Sequence, residues 1–178
     1  MEVPDEELML AYRGGDAGAF ERLYARHRGG LFRFVLRSIA QRAIAEELFQ
    51  EIWIRVIEAR ERYAPTARFT TWLYTIAHNR LIDHWRQRGL SQVGAEEGEA
   101  VPDTRQDPAA RAEGRESLAR LVQALQALPA LQREVFLLHE EAGLSVAEIA
   151  AATGSDEEAA KSRLRYAIAK LKAAVDHD

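Results

Sequence analysis

Apolar side chains recur every three or four positions along most of the chain, which is the spacing of a helix with one buried face. The sequence contains no sustained alternation of apolar and polar positions, the pattern that half-buried strands produce. It is also rich in Ala, Leu, Glu and Arg, residues with high intrinsic helix propensity. We therefore expect an all-α protein.

The periodicity divides into two groups of predicted helices. The first group is expected at about 5–13, 16–39, 44–62 and 70–88, and the second begins at about residue 110. Gly14 and Gly15 end the first helix, and Asp16 is a candidate N-cap for the second. Pro65 disfavours helix at the residue before it and so separates the third helix from the fourth.

The segment between the two groups has a different composition. Residues 89–110 contain three glycines, two prolines and few large apolar side chains, and five acids oppose one arginine. Such a composition is typical of a flexible linker. We therefore predict two small helical domains at about 4–88 and 112–176, joined by a flexible acidic linker at 89–111.

The overall composition excludes several classes of protein. The 178 residues include no cysteine, which rules out disulfides, thiolate metal sites and cysteine nucleophiles and fits a reducing cytoplasm. No apolar run approaches the ~18 residues that a membrane-spanning helix needs, and the acidic N-terminus does not resemble a signal peptide. We therefore expect a cytoplasmic protein. The net charge of -4 does not indicate nucleic-acid binding, but local patches decide binding more than the total.

The last third of the chain has the pattern of a helix-turn-helix. Ser145 and Glu148 have the spacing of a capping box, which begins a helix, and Gly154 suits the tight turn that follows. Ser155 and Glu158 repeat the capping-box spacing and are expected to begin the second helix. In proteins of this kind the second helix lies in the major groove of DNA.

This second helix is strongly basic toward its end. It carries no acid between residues 161 and 172, and its cations are Lys161, Arg163, Arg165, Lys170 and Lys172. Leu164, Ile168 and Leu171 are expected to form its buried stripe. Cations near a helix C-terminus also complement the helix dipole, so a solvated surface is the alternative interpretation.

The fourth predicted helix mixes aromatic and basic side chains. The aromatic residues in or next to it are Phe69, Trp72, Tyr74 and Trp85, and the polar and basic ones are Arg68, His78, Asn79, Arg80, His84, Arg86 and Arg88. Aromatic residues on helices usually belong to the core, and the arginines would then be solvated. Aromatic faces beside arginines are also what a single-strand binder needs, because each stacked base recovers roughly 1–3 kcal/mol.

The third predicted helix has an acidic polar face. Its members are Glu46, Glu47, Gln50, Glu51 and Glu58. The simpler interpretation of these residues is an acidic face exposed to solvent. The alternative is a docking surface for a basic partner, with specificity from charge complementarity.

Three stretches together carry a resemblance to a known family. They are Ala45–Glu51 (AEELFQE), Phe69–Arg80 (FTTWLYTIAHNR), and Leu128–Leu138 (LPALQREVFLL) followed by the helix-turn-helix and Lys161–Leu164 (KSRL). In this order and spacing the chain resembles the sigma factors of bacterial RNA polymerase, in the extracytoplasmic-function group. The likeness covers nearly the whole chain, including the acidic linker.

The resemblance implies a role for each stretch. Glu47, Gln50 and Glu51 would contact the clamp helices of the largest polymerase subunit. The loop 63–68 would form a pocket for a base flipped out of the -10 promoter element. The residues implied to contact single-stranded DNA are Tyr63, Arg68, Phe69, Trp72, Tyr74, Asn79, Arg80 and Arg86. Those implied to face the -35 duplex are Lys161, Ser162, Arg163, Arg165 and Tyr166.

The resemblance also implies partners. They are the polymerase core, promoter DNA and an anti-sigma factor linked to the membrane, while a stable homo-oligomer, a cofactor and a metal are not expected. The acidic linker would run toward the RNA exit path. The factor would be a dissociable initiation factor with no catalysis of its own.

This chain departs from the family pattern at a few positions. Glu47 stands where the family usually has Asp, and Tyr166 where an arginine is common. In the family a Pro-Val-Gly-Thr-Val run often precedes the Lys-Ser-Arg sequence. In this chain the residues before Lys161 are instead Ser-Asp-Glu-Glu-Ala-Ala (155–160), which include Glu157 and Glu158. These two acids would repel phosphate, accept a hydrogen bond from cytosine N4, or simply complement the N-terminal dipole of their helix.

Two other classes of protein are weaker interpretations. A stand-alone helix-turn-helix regulator, with a first domain that senses a ligand or dimerises, would bind a palindromic site strongly without polymerase. An enzyme is the least supported class, since the five histidines are scattered. His78 and His84 are six residues apart, diverge on a helix and would make poor metal partners.

Overall fold

The computed structural model describes residues 1–89 and 113–176, and within these ranges the protein consists of helices without any strand. The helices are α1 (Asp5–Arg13), α2 (Ala17–Ile39), α3 (Arg42–Ala59), α4 (Phe69–Gln87), α5 (Glu113–Ala127), α6 (Ala130–Glu140), α7 (Val146–Thr153) and α8 (Glu157–Val175). The prediction of an all-α protein is confirmed. The predicted linker lies outside the described residues, except for Gly89.

Helices α1–α4 form the N-terminal lobe, whose boundaries follow the sequence signals closely. Gly15 turns the chain after α1 with φ of 108°, which favours glycine. The Asp16 carboxylate then accepts a hydrogen bond from the Ala19 amide at 3.3 Å and caps α2, as predicted. The predicted third helix ends earlier than expected, because residues Arg60–Arg62 form a 3₁₀ turn.

Helices α5–α8 form the C-terminal lobe, which contains the predicted helix-turn-helix. The Ser145 hydroxyl accepts from the Glu148 amide, and the Glu148 carboxylate accepts from the Ser145 amide, both at 3.1 Å. This capping box begins α7. Gly154 closes the helix with φ of 65° and turns the chain toward α8.

The second predicted capping box is wrong. Asp156, not Ser155, is the N-cap of α8, and its carboxylate accepts from the Ala159 amide at 2.7 Å. The Ser155 hydroxyl lies 2.9 Å from the Thr153 hydroxyl instead. Asp and Ser are comparable N-caps, so the geometry of the turn after Gly154 decides between these neighbouring residues.

The predicted buried stripe of α8 is only partly correct. Leu164 and Leu171 are buried, but Ile168 is exposed, and the stripe is completed by Ala160 and Ala167. The spacing of four, three and four residues satisfies a helix just as well. The sequence could not show that Ala160 and Ala167 belong to the buried stripe, because alanine occurs at many exposed positions of the chain as well.

The two lobes pack directly against each other. Helix α4 lies against α7, and α2 lies against α6, so that one apolar core runs through both lobes. Gly30 of α2 lies at this contact, since a Cβ there would lie 3.6 Å from the Glu141 carbonyl oxygen and from the Tyr74 hydroxyl. None of the helices within 1–89 and 113–176 combines the length and apolar character needed to cross a bilayer.

The cap of α8 can be tested with two neighbouring substitutions. Asp156→Ala should lower the free energy of unfolding by about 1 kcal/mol, because it removes the acceptor for an amide of the first turn. Ser155→Ala is the matched control and should change stability by less than about half of that. Urea denaturation followed by circular dichroism measures both. A larger cost for Ser155→Ala would contradict this assignment.

Candidate nucleic-acid interface

The polar face of α3 presents a continuous surface that we call the acidic stripe: Glu47, Gln50, Glu51, Ile54 and Glu58. All but Glu51 are exposed, and Glu51 is partly exposed. Steps of three and four residues place them along one side of the helix. Ile54 was missed by sequence reasoning, although its position between Glu51 and Glu58 could have revealed it. It leaves 51% of its surface exposed, which is unusual for isoleucine.

Two ion pairs join α3 to α4 behind this stripe. Arg80 donates from Nε to the Glu51 carboxylate, and Arg55 donates to Asp83 at 2.9 Å. The Arg80 side chain is only 12% exposed, so it faces α3 more than the solvent. Arg80, predicted to hold the DNA backbone, therefore contacts Glu51, predicted to bind polymerase.

Most of the predicted aromatic contacts for single-stranded DNA are buried. Tyr63, Phe69 and Tyr74 are each at most 3% exposed. Tyr63 packs edge-on against Trp72 with ring centroids 5.0 Å apart, and Trp72 alone of the four is partly exposed. These three rings therefore lie beneath the exposed surface of α4 and offer no face for base stacking. Tyr63 and Phe69 are held against α1 by hydrogen bonds to Arg13 and Glu6, whereas Tyr74 packs edge-on against Phe34 of α2 with ring centroids 5.3 Å apart.

The contact with α1 also begins α4. The Glu6 carboxylate accepts from the Phe69 amide at 2.9 Å and so supplies the N-terminal hydrogen bond that the Arg68 side chain does not. Burial, together with the charges of Glu6 and Asp5, raises the pKa of Tyr63 to about 12. The Tyr63 hydroxyl is buried without a hydrogen-bond partner among the described residues.

The exposed part of α4 carries Asn79 and Arg86, which project from the side that faces the C-terminal lobe. Together with Arg163 of α8 they line a cavity of about 490 Å³ between the lobes. His84, on the same helix, has its pKa lowered by burial and by the charges of Arg88 and Arg80. Its ring is therefore neutral at pH 7 and adds no charge to this surface.

A buried polar pair forms part of the cavity wall. His78 of α4 and Glu134 of α6 are hydrogen-bonded at 2.5 Å, and the Glu134 side chain is fully buried. The second carboxylate oxygen of Glu134 has no hydrogen-bond partner within the described parts of the chain. Because a buried carboxylate without a partner is costly, His78 is the residue that makes Glu134 tolerable there.

The residues predicted to face duplex DNA lie on the first half of α8. Lys161, Arg165 and Tyr166 are exposed, with Tyr166 at 57%, and Ser162 and Arg163 are partly exposed. They form a surface next to the turn of the helix-turn-helix. Glu157 and Glu158 are also exposed and lie in the first turn, where acids complement the helix dipole.

Across 1–89 and 113–176 there is no group of three or more His, Asp or Glu side chains arranged to hold a metal ion. The cavity is lined by the cations Arg86 and Arg163 and the amide of Asn79, next to the buried pair of His78 and Glu134.

Comparison with known proteins identifies the family of this chain. Residues 23–90 match the family model of Sigma-70 region 2, and residues 118–171 match that of Sigma-70, region 4. RNA polymerase sigma factor CarQ of Myxococcus xanthus is 37% identical over 166 residues, which cover 92% of this chain and 93% of that protein. ECF RNA polymerase sigma factor SigL of Mycobacterium tuberculosis is 34% identical over 161 residues, covering 88% and 89%.

A solved structure has the same fold. It is that of CnrH, a sigma factor of Cupriavidus metallidurans, in complex with the cytosolic domain of CnrY. Its TM-score is 0.72 at 26% sequence identity, and the match covers 98% of both chains. The chain thus belongs to the extracytoplasmic-function sigma factors, which are alternative sigma factors of bacterial RNA polymerase.

The burial of Tyr63 generates a prediction for stability at high pH. The folded protein raises the Tyr63 pKa from 10.0 to about 12, so its contribution to stability is complete below pH 10 and is lost as the pH rises toward 12. Tyr63→Phe cannot ionise and should lose less stability over this range. At pH 7 the variant should be neutral or up to about 1 kcal/mol more stable, because the unpaired hydroxyl is removed.

Urea denaturation of both proteins at pH 7 and near pH 11 measures this effect. Tyr12→Phe is the control, since it removes a tyrosine that is only partly buried. Equal losses of stability for the parent and Tyr63→Phe would contradict the buried position of this ring.

Proposed function

We propose that this sigma factor binds core polymerase through the acidic stripe, reads the -35 element with α8, and captures single-stranded -10 bases at α4. One observation carries the proposal: the same chain contains two different elements suited to DNA. The first is the helix-turn-helix of α7 and α8, with its exposed basic face, and the second is α4, whose aromatic and arginine side chains lie next to the acidic helix α3. Neither half alone would select a promoter and open it.

The acidic stripe has the composition of a docking surface. Ile54 supplies an apolar centre, and the surrounding carboxylates and amide supply a polar rim. Binding energy usually concentrates in such an anchor, whereas the charged rim sets specificity and speeds association. The partner surface should therefore be basic with an apolar pocket, as we propose for the clamp helices of the largest subunit.

The exposed side chains of α8 suit a DNA duplex. Arg163 and Arg165 are capable of bidentate hydrogen bonds to guanine in the major groove, while Lys161 suits a phosphate. The Ser162 hydroxyl and the Tyr166 ring would supply shorter-range contacts. We propose that these five side chains read the -35 element.

At α4 we propose that the exposed side chains contact DNA and that the buried side chains hold them in place. Arg68, Asn79 and Arg86 are exposed and would hold bases and backbone of the melted -10 element, with the partly exposed Trp72 beside them. Tyr63, Phe69 and Tyr74 would support this surface from below, and Arg80 would act through its pair with Glu51. Capture of an unstacked base would offset part of the few kcal/mol that flipping costs.

Other properties follow from this proposal. The factor would act in the cytoplasm without catalysis or a cofactor, and as a single copy on each polymerase. Its domains would be 4–88 and 112–176, with the acidic linker 89–111 between them. An anti-sigma factor would be its regulator, because the related CnrH was solved with the cytosolic domain of CnrY; we propose a membrane-linked partner here too.

Run-off transcription with purified core polymerase on a promoter library tests this function. We expect transcripts only when the chain is added. Glu47→Arg and Ile54→Glu should each reduce core binding in a pull-down by at least about tenfold, through charge reversal and loss of the anchor. Both positions avoid Glu51, whose substitution would also release Arg80.

Glu21→Arg is the matched control for Glu47→Arg, since Glu21 is an exposed acid of α2 outside the stripe. It should bind core polymerase as the parent does. The absence of any transcript with the parent chain would reject the function. Equal binding by all of the variants would reject the acidic stripe as the docking surface.

A further inference from the structure

Two acids stand in the first turn of α8, the helix proposed to read the -35 element. Both Glu157 and Glu158 are exposed. The Asp156 carboxylate already caps this turn by accepting from the Ala159 amide at 2.7 Å. Neither glutamate side chain has a hydrogen bond or an ion pair with a residue of 1–89 or 113–176. The cap and the ion pairs of the fold therefore account for neither carboxylate.

The two glutamates lie on different sides of α8. Glu157 precedes the buried Leu164 by seven residues, close to two full turns, so it lies at the edge of the packed side. Glu158 precedes Ser162 by four residues and Arg165 by seven, so it lies on the face that we assign to DNA. Of the two acids, Glu158 is therefore the one placed to contact the duplex.

The position of Glu158 along the helix also suits a contact with a base. In helix-turn-helix proteins the N-terminal residues of the second helix contact base edges in the major groove. Helix α8 begins at Glu157, so Glu158 is its second residue. In zinc fingers, side chains one helical turn apart on the same face contact successive bases. Glu158 and Arg165 are therefore expected to reach different base pairs of one element.

The chemistry of a carboxylate favours cytosine among the four bases. A carboxylate only accepts hydrogen bonds, and the donors in the major groove are the amino groups of cytosine N4 and adenine N6. The adenine amino group lies between two acceptors, N7 of its own base and O4 of the paired thymine, and both would repel a carboxylate. The cytosine amino group has one such neighbour, O6 of the paired guanine.

Neighbouring cations offset the cost of bringing this carboxylate close to DNA. Lys161 and Arg165 are both exposed, three and seven residues after Glu158, so the net charge of the face remains positive. Such cations hold the phosphates and fix the position of the helix. Because phosphates repel a carboxylate, the favourable contact for Glu158 is an amino group on the floor of the groove.

We propose that Glu158 selects a cytosine in the -35 element by accepting a hydrogen bond from its N4 amino group. Glu157 only complements the dipole of α8. The inference rests on the proposed binding of α8 to the -35 element. It makes Glu158 a determinant of specificity at one base pair, while Arg165 selects guanine at a second position.

A promoter selection tests this assignment with holoenzyme, assembled from core polymerase and the full chain. The library keeps one -10 element chosen beforehand with the parent and has a randomised -35 region, and the DNA retained by holoenzyme is sequenced. The parent should enrich a C·G pair at one position by at least about fivefold over the other pairs. Glu158→Gln should shift this position to adenine, because an amide pairs with adenine N6 and N7. Glu158→Ala should remove the preference.

Glu157→Gln is the matched control, since it removes the same charge from the same turn at an exposed position. It should leave every base preference unchanged, whereas Arg165→Ala should weaken a preference at a different position. Circular dichroism verifies that each variant keeps its helices.

Two outcomes would overturn the proposal while the parent still selects promoters. One is the same base profile for Glu158→Gln, Glu158→Ala and the parent. The other is the same shift in Glu157→Gln, which would assign the effect to charge alone. A parent holoenzyme that selects no promoter would reject the proposed function and this inference together, so the two failures are distinguishable.

Discussion

The packing of α4 against its neighbours is the interaction on which the rest of the structure depends. At its start the Phe69 amide donates to Glu6 of α1, and further along the helix pairs with α3 through Arg80 and contacts α7 through Thr71. Its hydrogen bond between His78 and the buried Glu134 of α6 is the contact whose loss would cost the most stability. Removal of one partner from a buried polar pair costs more than the pair contributes, so the His78–Glu134 contact fixes where α4 can lie.

Because α4 lies at the centre, it connects the surface proposed to bind polymerase with those proposed to bind DNA. Glu51 belongs to the acidic stripe proposed to bind polymerase, yet it pairs with Arg80 of α4, the helix proposed to bind the -10 element. Glu148 begins the first helix of the helix-turn-helix, yet it holds Arg68 and Thr71. Each proposed surface is therefore positioned partly by a residue of another.

The sequence predicted the features that depend on neighbours along the chain. Helix α1, the cap at Asp16, the capping box at Ser145 and the turn at Gly154 were all found from local spacing. The choice of Asp156 over Ser155 was missed, because both are good caps and the turn geometry decides. The exposure of Ile168 was missed because alanines can fill a buried stripe as leucines do.

Features that depend on distant contacts could not be predicted in this way. Residues Glu6 and Phe69 are 63 positions apart, and no local pattern links them. That contact helps to bury Phe69 and Tyr63, which the resemblance implied as binding residues, although aromatic residues on helices usually belong to the core. The approach of Glu148 to Arg68 likewise depends on how the lobes pack. Residue types indicated the chemistry, while packing decided which side chains remain accessible.

The contact between His78 and the buried Glu134 fixes the position of α4, and a double-mutant cycle at these two residues tests it most directly. His78→Ala and Glu134→Ala should each lower the free energy of unfolding by about 3–5 kcal/mol, because each leaves a buried polar partner unpaired. The double variant should lose clearly less stability than the sum of the two single losses, as urea denaturation measures. Losses that simply add would contradict the direct contact between these side chains.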